Sequence, residues 1–507
     1  MITAQRMASV DANAAALGVP RAKLMESAGN AIAREIRSIA DPGSTVTLVC
    51  GRGNNGGDAL VAARFLSDFE VRVRLLGRRE SVSTGIAREN WDALSAAEID
   101  ARAVAAPAAE PASLDLEGSD VIVDAMLGTG VTGAVREPER TVIRRINEVG
   151  GGRGSDADAS TSGSHADARA PTVVAVDVPS GVDADTGEVE PGPDGERLAV
   201  EADRVVTFHD GKPGLATLGV PVTVADIGIP EAAELFTGPG DLLALGREPE
   251  SHKGDHGEVL VVGGGPYTGA PTLAARSALR AGADLVRVAC PESVAREVQG
   301  FSENLIVHGF AGETLAPSHL DGISELAEGR DVVVFGPGLG DADATLEFVE
   351  RFLGAYDGRA VVDADALQVV PEVETDATLV CTPHQGELRR MGGPSAEDWR
   401  ERADLVRSFA ADLGHAVLVK GAYDVITDGE ALRVNRTGNP GMTVGGTGDV
   451  LAGAVGALAC TQSPLQAAAI GAYANGRAGD LVVDERGYGL VATDLIDRLP
   501  EALRTDE

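Results

Sequence analysis

Short runs of β-branched and aliphatic residues, each closing on a turn and then a helix-like segment, recur along most of this chain. Thr45–Cys50 runs into the glycine-rich Gly51–Asp58 and an apparent helix over 59–67. Further runs follow at 71–77, 121–126, 172–181 and 205–215, then at 258–262, 285–290, 304–310, 331–340, 359–367, 377–388 and 416–426. Strands joined through helices need crossover connections, so the sheets are expected to be parallel and covered by helices on both faces. Such sheets bind ligands beyond the carboxyl ends of their strands. The residues that follow each run are therefore the first candidates for chemistry.

A chain of 507 residues exceeds one ordinary core, so two domains are expected. The glycine- and proline-punctuated stretch Phe236–Glu250 puts the boundary near residue 235, giving a Rossmann-like three-layer α/β domain over 1–235 and a doubly wound α/β domain over 236–507. A single helical stretch is read over 3–39, ended by Pro42–Gly43. Residues 150–170, GGGRGSDADASTSGSHADARA, have no periodicity and read as a solvated, low-complexity insertion. Doubling a flexible loop costs only about 0.6 kcal/mol, so His165 within it is taken as bystander surface.

The formal charge of −35 argues against binding to nucleic acid or anionic membranes. The basic residues are 39 Arg and four Lys, a composition similar to that of salt-loving archaea, where high salt screens the carboxylates. No window reaches a spanning helix and the N-terminus lacks a basic-then-apolar signal; a soluble, cytoplasmic protein is expected, working as a homo-oligomer. Cys50, Cys290, Cys381 and Cys460 lack metal-type spacing and read as buried free thiols. The scarcity of lysine makes Lys212, Lys253 and Lys420, each in a glycine-containing motif, worth following.

In the first half, Asn54 and Asn55 sharpen the glycine-rich turn, because their amides can hold a ribose, a phosphate or an ion. Asp124 closes the run at 121–126, ahead of Leu127–Gly133. Asp177 and Ser180 close the run at 172–181. Asn55, Asp124 and Ser180 offer oxygens suited to a hard cation, and Lys212 arrives at a similar strand end.

In the second half, Thr443–Val455 reads TVGGTGDVLAGAV. Gly445, Gly446 and Gly448 allow close backbone approach, and the first amides of a helix point outward without partners. Asp449 in such a cradle is suited to taking a proton from a hydroxyl that attacks phosphorus; the plainer reading makes it an N-cap. His384 and Glu387 follow a strand end, where one suits a substrate contact and the other an Mg²⁺–phosphate cluster; a local cap is the plainer role for His384. Lys253 and Lys420 suit phosphate. Tyr473 and Asn475 read as core and surface of a packing helix.

NNGGD (54–58), VDAMLGTG (123–130), DVPSGVDADTG (177–187) and TFHDGKPGL (207–215) resemble the N-terminal domain of the NAD(P)H-hydrate repair enzymes, the NAD(P)HX epimerases. The resemblance implies a potassium ion held by Asn55, Asp124 and Ser180. It implies contacts to the hydrated dinucleotide from Asn54, Asn55, Gly56, Gly57, Asp58, Gly128, Thr129, Gly130, Val131, Thr132, Gly133, Ala134 and Asp177. Asp177 and Lys212 would handle the protons that invert C6. Ala59 departs from the glycine common after NNGGD.

From residue 251 onward the chain is similar to the ADP- or ATP-dependent NAD(P)HX dehydratases, whose fold is ribokinase-like; KGDHG, GPGLG, TPHQGEL, VLVKG and NPGMTVGGTGDVLAG match in order. That similarity implies dinucleotide contacts at Ala270, Gly338, His384 and Asp449. Nucleotide contacts would come from Lys420, Gly421, Ala422, Tyr423, Asp424 and Gly448. It further implies Mg²⁺, and ADP as the expected nucleotide, with NADHX and NADPHX as substrates. The alternative is a ribokinase-superfamily small-molecule kinase carrying a non-catalytic N-terminal binding module.

Overall fold

A computed structural model describes all residues except 108–110, 132, 152–169, 266 and 506–507. The insertion expected over 150–170, with His165, and the candidate Thr132 therefore lie essentially outside the described residues. The chain divides into two compact units, Met1–Pro230 and Glu231–Glu507. Residues 231–235, read from sequence with the first half, form a short helix, Glu231–Leu235, that belongs to the second unit. The reason is local: Phe236 bridges to Val434, and the Thr237 amide donates to the Val434 carbonyl.

The first unit is built on seven strands: β1 Thr45–Cys50, β2 Glu70–Leu76, β3 Asp100–Val104, β4 Val121–Ala125, β5 Thr172–Val176, β6 Arg204–Phe208 and β7 Val222–Ala225. Their order is β3-β2-β1-β4-β5-β6-β7, parallel throughout. The order reverses between β1 and β4, which opens a crevice at their carboxyl ends. The helical stretch expected over 3–39 is two helices, Ala4–Ala16 and Arg21–Ile39, because Gly18 turns left-handed (φ +90°) and Pro20 caps the second.

NNGGD differs from its sequence reading. The helix begins at Asn54 rather than at 59, so these residues are its first turns and not a loop. A Cβ on Gly56 would overlap the Gly51 carbonyl oxygen, and one on Gly57 would lie 2.7 Å from Met25 Cε. The two glycines let the helix sit flush on β1 and on the helix Arg21–Ile39.

The second unit carries β8 Glu258–Val262, β9 Leu285–Pro291, β10 Ile306–Phe310, β11 Val332–Phe335, β12 Arg359–Val362, β13 Thr378–Cys381, β14 Ala416–Val419, β15 Asp424–Thr427 and β16 Leu432–Asn435. The order is β10-β9-β8-β11-β12-β13-β14-β15-β16, with β15 and β16 antiparallel at one edge. The run read over 416–426 is thus two strands joined by a turn. Alternate residues of one strand enter different cores: Val259 and Val261 join one cluster, Leu260 and Val262 the other. That alternation makes a sheet wound on both faces, and each fully buried Val or Leu contributes about 1.5–3 kcal/mol.

The helix Thr447–Ala459 is buried without interruption from Val450 to Ala459. It lies against the helix Gly269–Ala281 so closely that a Cβ on Gly453 would overlap the Ala274 carbonyl. Cys50, Cys290 and Cys381 are buried thiols as expected, and Cys460 is half-buried. Among the described residues no helix is long and apolar enough to cross a membrane.

Candidate functional site

In each unit a large cavity opens at the carboxyl ends of the strands. In the first unit it measures about 800 Å³ and is lined by Asn54, Asn55, Asp58, Gly128, Thr129, Gly130, Val131, Asp177 and Lys212 among others. Gly56 and Gly57 are buried beneath it. Gly133, with Gly128 and Val131, lines a smaller adjoining depression, and Ala134 lines neither.

Asp124 ends β4 and is wholly buried. The Ser180 amide donates to its Oδ2 (2.8 Å) and the Ser180 hydroxyl to its Oδ1 (2.6 Å), while the Leu127 amide donates to Ser180 Oγ (3.0 Å). Asn55 Nδ2 donates to the Leu127 carbonyl (3.0 Å), but Asn55 Oδ1 is buried with no hydrogen-bond partner. Burial pushes the Asp124 carboxyl up to about 6, against the Ser180 hydrogen bonds that lower it. An orphaned carbonyl oxygen beside a buried carboxylate and a hydroxyl fits a cation such as K⁺, which takes oxygen ligands without a closed cage of charges; it would relieve both the unpaired oxygen and the buried charge.

Asp177 follows β5 with φ +66°, a left-handed conformation that Asp adopts more readily than most residues. Thr207 Oγ1 donates to its Oδ1 (3.0 Å), and Lys212 Nζ stands 3.1 Å from the same oxygen. Lys212 is only 1% exposed and also donates to the Phe208 and Asp210 carbonyls (2.8 and 3.2 Å). Two further carboxyls line this cavity. Asp11, on the first helix, is pushed up to about 6 by burial, opposed by Arg21 and reinforced by Asp177. Asp58 is raised well above the usual carboxylate range by burial, then by Asp177 and Asp11. Asp11 was not singled out in the sequence; a half-polar helix 166 residues from Asp177 carries no local sign of it.

In the second unit a cavity of about 770 Å³ is lined by His384, Lys420, Gly421, Ala422, Asp424, Gly446, Thr447 and Gly448, together with Asn475 and its neighbours. Asp449 is not the N-cap of its helix. Gly446 is, at φ +96°, and Asp449 occupies the first turn. Beyond it, Lys420 Nζ contacts Asp363 Oδ1 at 2.7 Å and Glu387 Oε2 at 3.7 Å, and Thr382 Oγ1 donates to Asp363 (2.9 Å). The Asp449 carboxyl is pushed up to about 7, first by burial, then by Asp363 and Glu387, with Lys420 opposing. Burial works to lower the Lys420 ammonium, but Asp363 and Glu387 overcome it and hold the group above its ordinary value.

His384 takes the plainer role as a cap: its Nδ1 accepts from the Gly386 and Glu387 amides (2.9 and 3.0 Å), while Glu387 accepts from its backbone amide (2.7 Å). His384 still lines the cavity. Ala270 and Gly338 sit side by side, since a Cβ on Gly338 would lie 3.2 Å from that of Ala270; neither lines the cavity. Tyr423 stacks on Trp399 (centroids 5.1 Å, 14°) rather than facing inward. Lys253 is exposed and lines no part of it. Asp363 escaped the sequence reading, although it has the same signature as Asp124, an acid closing a β-branched strand. Asp363 and Glu387 fit a Mg²⁺ that keeps water and phosphate ligands, since such a site needs only one or two carboxylates.

A cation-ready, acid-lined crevice in one unit and a carboxyl at a glycine-capped helix start in the other define a two-centre α/β enzyme. Family models match residues 21–214 to the YjeF-related protein N-terminus and residues 259–501 to NAD(P)H-hydrate dehydratase. The bifunctional NAD(P)H-hydrate repair enzyme Nnr of Methanothermobacter thermautotrophicus is 42% identical, covering 98% of this chain and 94% of its own length. That of Pyrobaculum aerophilum is 42% identical over 99% and 98%, and that of Archaeoglobus fulgidus 41% over 99% and 98%. The ADP/ATP-dependent NAD(P)H-hydrate dehydratase of Bacillus subtilis, co-crystallised with ATP and Mg²⁺, is 28% identical, covering 53% of this chain and 97% of its own, with a TM-score of 0.47. The chain belongs to the bifunctional NAD(P)H-hydrate repair enzymes, isomerase and lyase in one polypeptide.

Proposed function

We propose that the first cavity interconverts the C6 epimers of NADHX and NADPHX, and that the second uses ADP to return the S epimer to NADH or NADPH, releasing AMP and phosphate. The observation that carries the second assignment is Asp449: a carboxyl pushed up to about 7, one residue from the Gly448 that lines the cavity, at a helix start. A base works best with a pKa near the operating pH. Asp449 takes the proton of the C6 hydroxyl as that oxygen bonds to the terminal phosphorus of ADP and the bond to AMP breaks. The new phosphate ester then leaves C6 as phosphate while a proton leaves C5, and the C5=C6 double bond re-forms.

The amides at Gly446–Gly448, which line the cavity at a helix start, would face the developing charge, and losing one such donor costs on the order of 3–4 kcal/mol. Asp363 and Glu387 would hold Mg²⁺, which supplies positive charge to the phosphate oxygens when bound. Lys420, Gly421, Ala422 and Asp424, which line the cavity, would contact the nucleotide, and His384 the dinucleotide; Ala270 and Gly338, side by side outside that lining, would take part only as supporting backbone. In the first unit, Asp177 paired to Lys212 is the proton acceptor, and the 54–58 and 128–134 segments bind the substrate. Asn55, Asp124 and Ser180 would hold K⁺, whose fixed charge offsets the buried carboxylate when bound. A charge of −35 supports work at high salt, away from nucleic acid.

The test is recovery of reduced-nicotinamide absorbance from mixed hydrate epimers in high KCl, with Mg²⁺ and either ADP or ATP. Complete recovery with ADP is expected. Recovery that stops at one epimer would remove the epimerase assignment, and a stable phosphorylated product would replace the dehydratase reading with a kinase.

A further inference from the structure

The turn at 420–424, from the end of β14 to the start of β15, is closed by its own last residue. Asp424 Oδ1 accepts from the Gly421 amide (2.9 Å), and its Oδ2 accepts from Asn435 Nδ2 (2.9 Å). Both carboxylate oxygens are thus held within the protein. Burial pushes this carboxyl up to about 6, against the hydrogen bonds from Asn435 and Gly421 and the charges of Lys420 and Arg402. Arg402, on the helix Trp399–Leu413, is itself bound to the Tyr423 carbonyl (3.1 Å).

Asn435 ends β16 and is 1% exposed. Its Nδ2 also donates to the Ala472 carbonyl (3.2 Å) on the helix Pro464–Arg486, and its Oδ1 accepts from the Thr237 and Thr437 hydroxyls (2.9 and 2.8 Å). Asp424, Thr437 and Ala472 line the second cavity, whereas Asn435 does not. One buried amide therefore fastens three stretches of cavity wall to one another without reaching the cavity. An amide suits the place because it turns donors toward Asp424 and Ala472 and an acceptor toward the two hydroxyls, so each of its polar groups is matched.

We propose that Asn435 is a positioning residue for the nucleotide: through Asp424 it fixes the shape of the 420–424 turn, so that Lys420, Gly421 and Ala422 meet ADP in one arrangement. This rests on the nucleotide reading of the cavity. His384, assigned to the dinucleotide, is held instead by the Gly386 and Glu387 amides, so the two substrates differ in their dependence on Asn435.

The experiment replaces Asn435 by Asp in the full chain, which sets a second carboxylate against Asp424. Two carboxyls in contact are compatible only while they share a proton, so the variant should be defective at pH 8 and recover toward pH 6. In dehydration of the S epimer at pH 8, the KM for ADP should rise about tenfold or more, as a lost buried hydrogen bond and a like-charge contact require. The KM for the hydrated dinucleotide should stay within about twofold of its value in the unaltered chain. Calorimetric titration by ADP with Mg²⁺, each variant referred to the unaltered chain at the same pH, should show the loss shrinking to about threefold or less at pH 6. The exchanged pair, Asn435→Asp with Asp424→Asn, again places one donor and one charge between the two positions and should recover most of the ADP affinity at both pH values. Thermal unfolding checks that each variant is folded. Asn435→Ser, which removes the donor without adding a charge, should weaken ADP alike at both pH values and serves where Asn435→Asp is unfolded. Two KM values that rise together in either variant, an Asn435→Asp defect equal at pH 6 and 8, or a folded exchanged pair that stays defective overturns the assignment. An unaltered chain that binds no ADP overturns the reading of the cavity and this inference with it.

Discussion

Lys212 Nζ lies 3.1 Å from Asp177 Oδ1, on a side chain that solvent does not reach. The pair ties the end of β6 to the end of β5 and leaves the other Asp177 oxygen for a ligand. Removing one partner of a buried ion pair strands the other charge, at about 3–5 kcal/mol. Lys212→Met should lower the unfolding temperature and slow epimer exchange by about 10²-fold or more, while ADP-dependent recovery from the S epimer persists. Differential scanning calorimetry and nuclear magnetic resonance of the epimers would read the two effects.

Asp449→Asn should abolish ADP-dependent dehydration and leave epimerisation intact; loss of both would sink the two-centre assignment. The raised carboxyl gives two pH signatures. Dehydration, needing the carboxylate, should fall as pH drops through about 7. A folded-state value above the unfolded one means that the unfolded chain binds fewer protons between about pH 4 and 7, so this group removes stability as pH rises through that window. The Asn variant should therefore gain melting temperature over the parent at pH 8 and show little gain at pH 4.

Potassium should stabilise the first unit beyond what sodium does at equal ionic strength, because screening is common to both salts. Asp124→Asn or Ser180→Ala should erase that difference. Asp124, held near 6, predicts that the potassium increment shrinks below pH 6, where a proton competes for the same carboxylate. Melting curves in matched KCl and NaCl at pH 5 and 8 test this.

Asp11 faces the same cavity as Asp177, with a value pushed up to about 6. Two carboxyls in one site with different environments divide into an acid and a base. Asp11→Asn should slow epimer exchange at least about tenfold and flatten the limb of the pH–rate profile near 6. An unchanged profile would reduce Asp11 to a wall residue.

Gly56→Ala should destabilise the first unit more than Gly57→Ala, since the first drives a methyl into the Gly51 carbonyl and the second meets the end of the Met25 side chain, which can swing aside. Overpacking of this kind costs about 1–3 kcal/mol; urea unfolding of the two variants would rank them.

The strand ends were legible in the sequence because parallel strands announce themselves as β-branched runs, so the residues after them could be named: Asp124, Asp177, Ser180, Lys420. The helix starting at Asn54 was not legible, because two adjacent glycines look like a loop until the packing that demands them is seen. Asp11 was missed, and Asn475 was read as surface although it is 6% exposed, for a different reason. Each rides a helix, and only the fold decides which turn of a helix faces a cavity. Asp363 was the one omission that the strand-end rule could have caught.

The glycines of NNGGD answer to a helix laid against a strand, and the polar residues among them answer to a ligand. One string of letters thus carries two messages that can be lost separately. A descendant stripped of its activity would keep the glycines as long as it kept its shape, so a search keyed to them detects the scaffold. Only the asparagines and the closing aspartate can vouch for the trade practised on it.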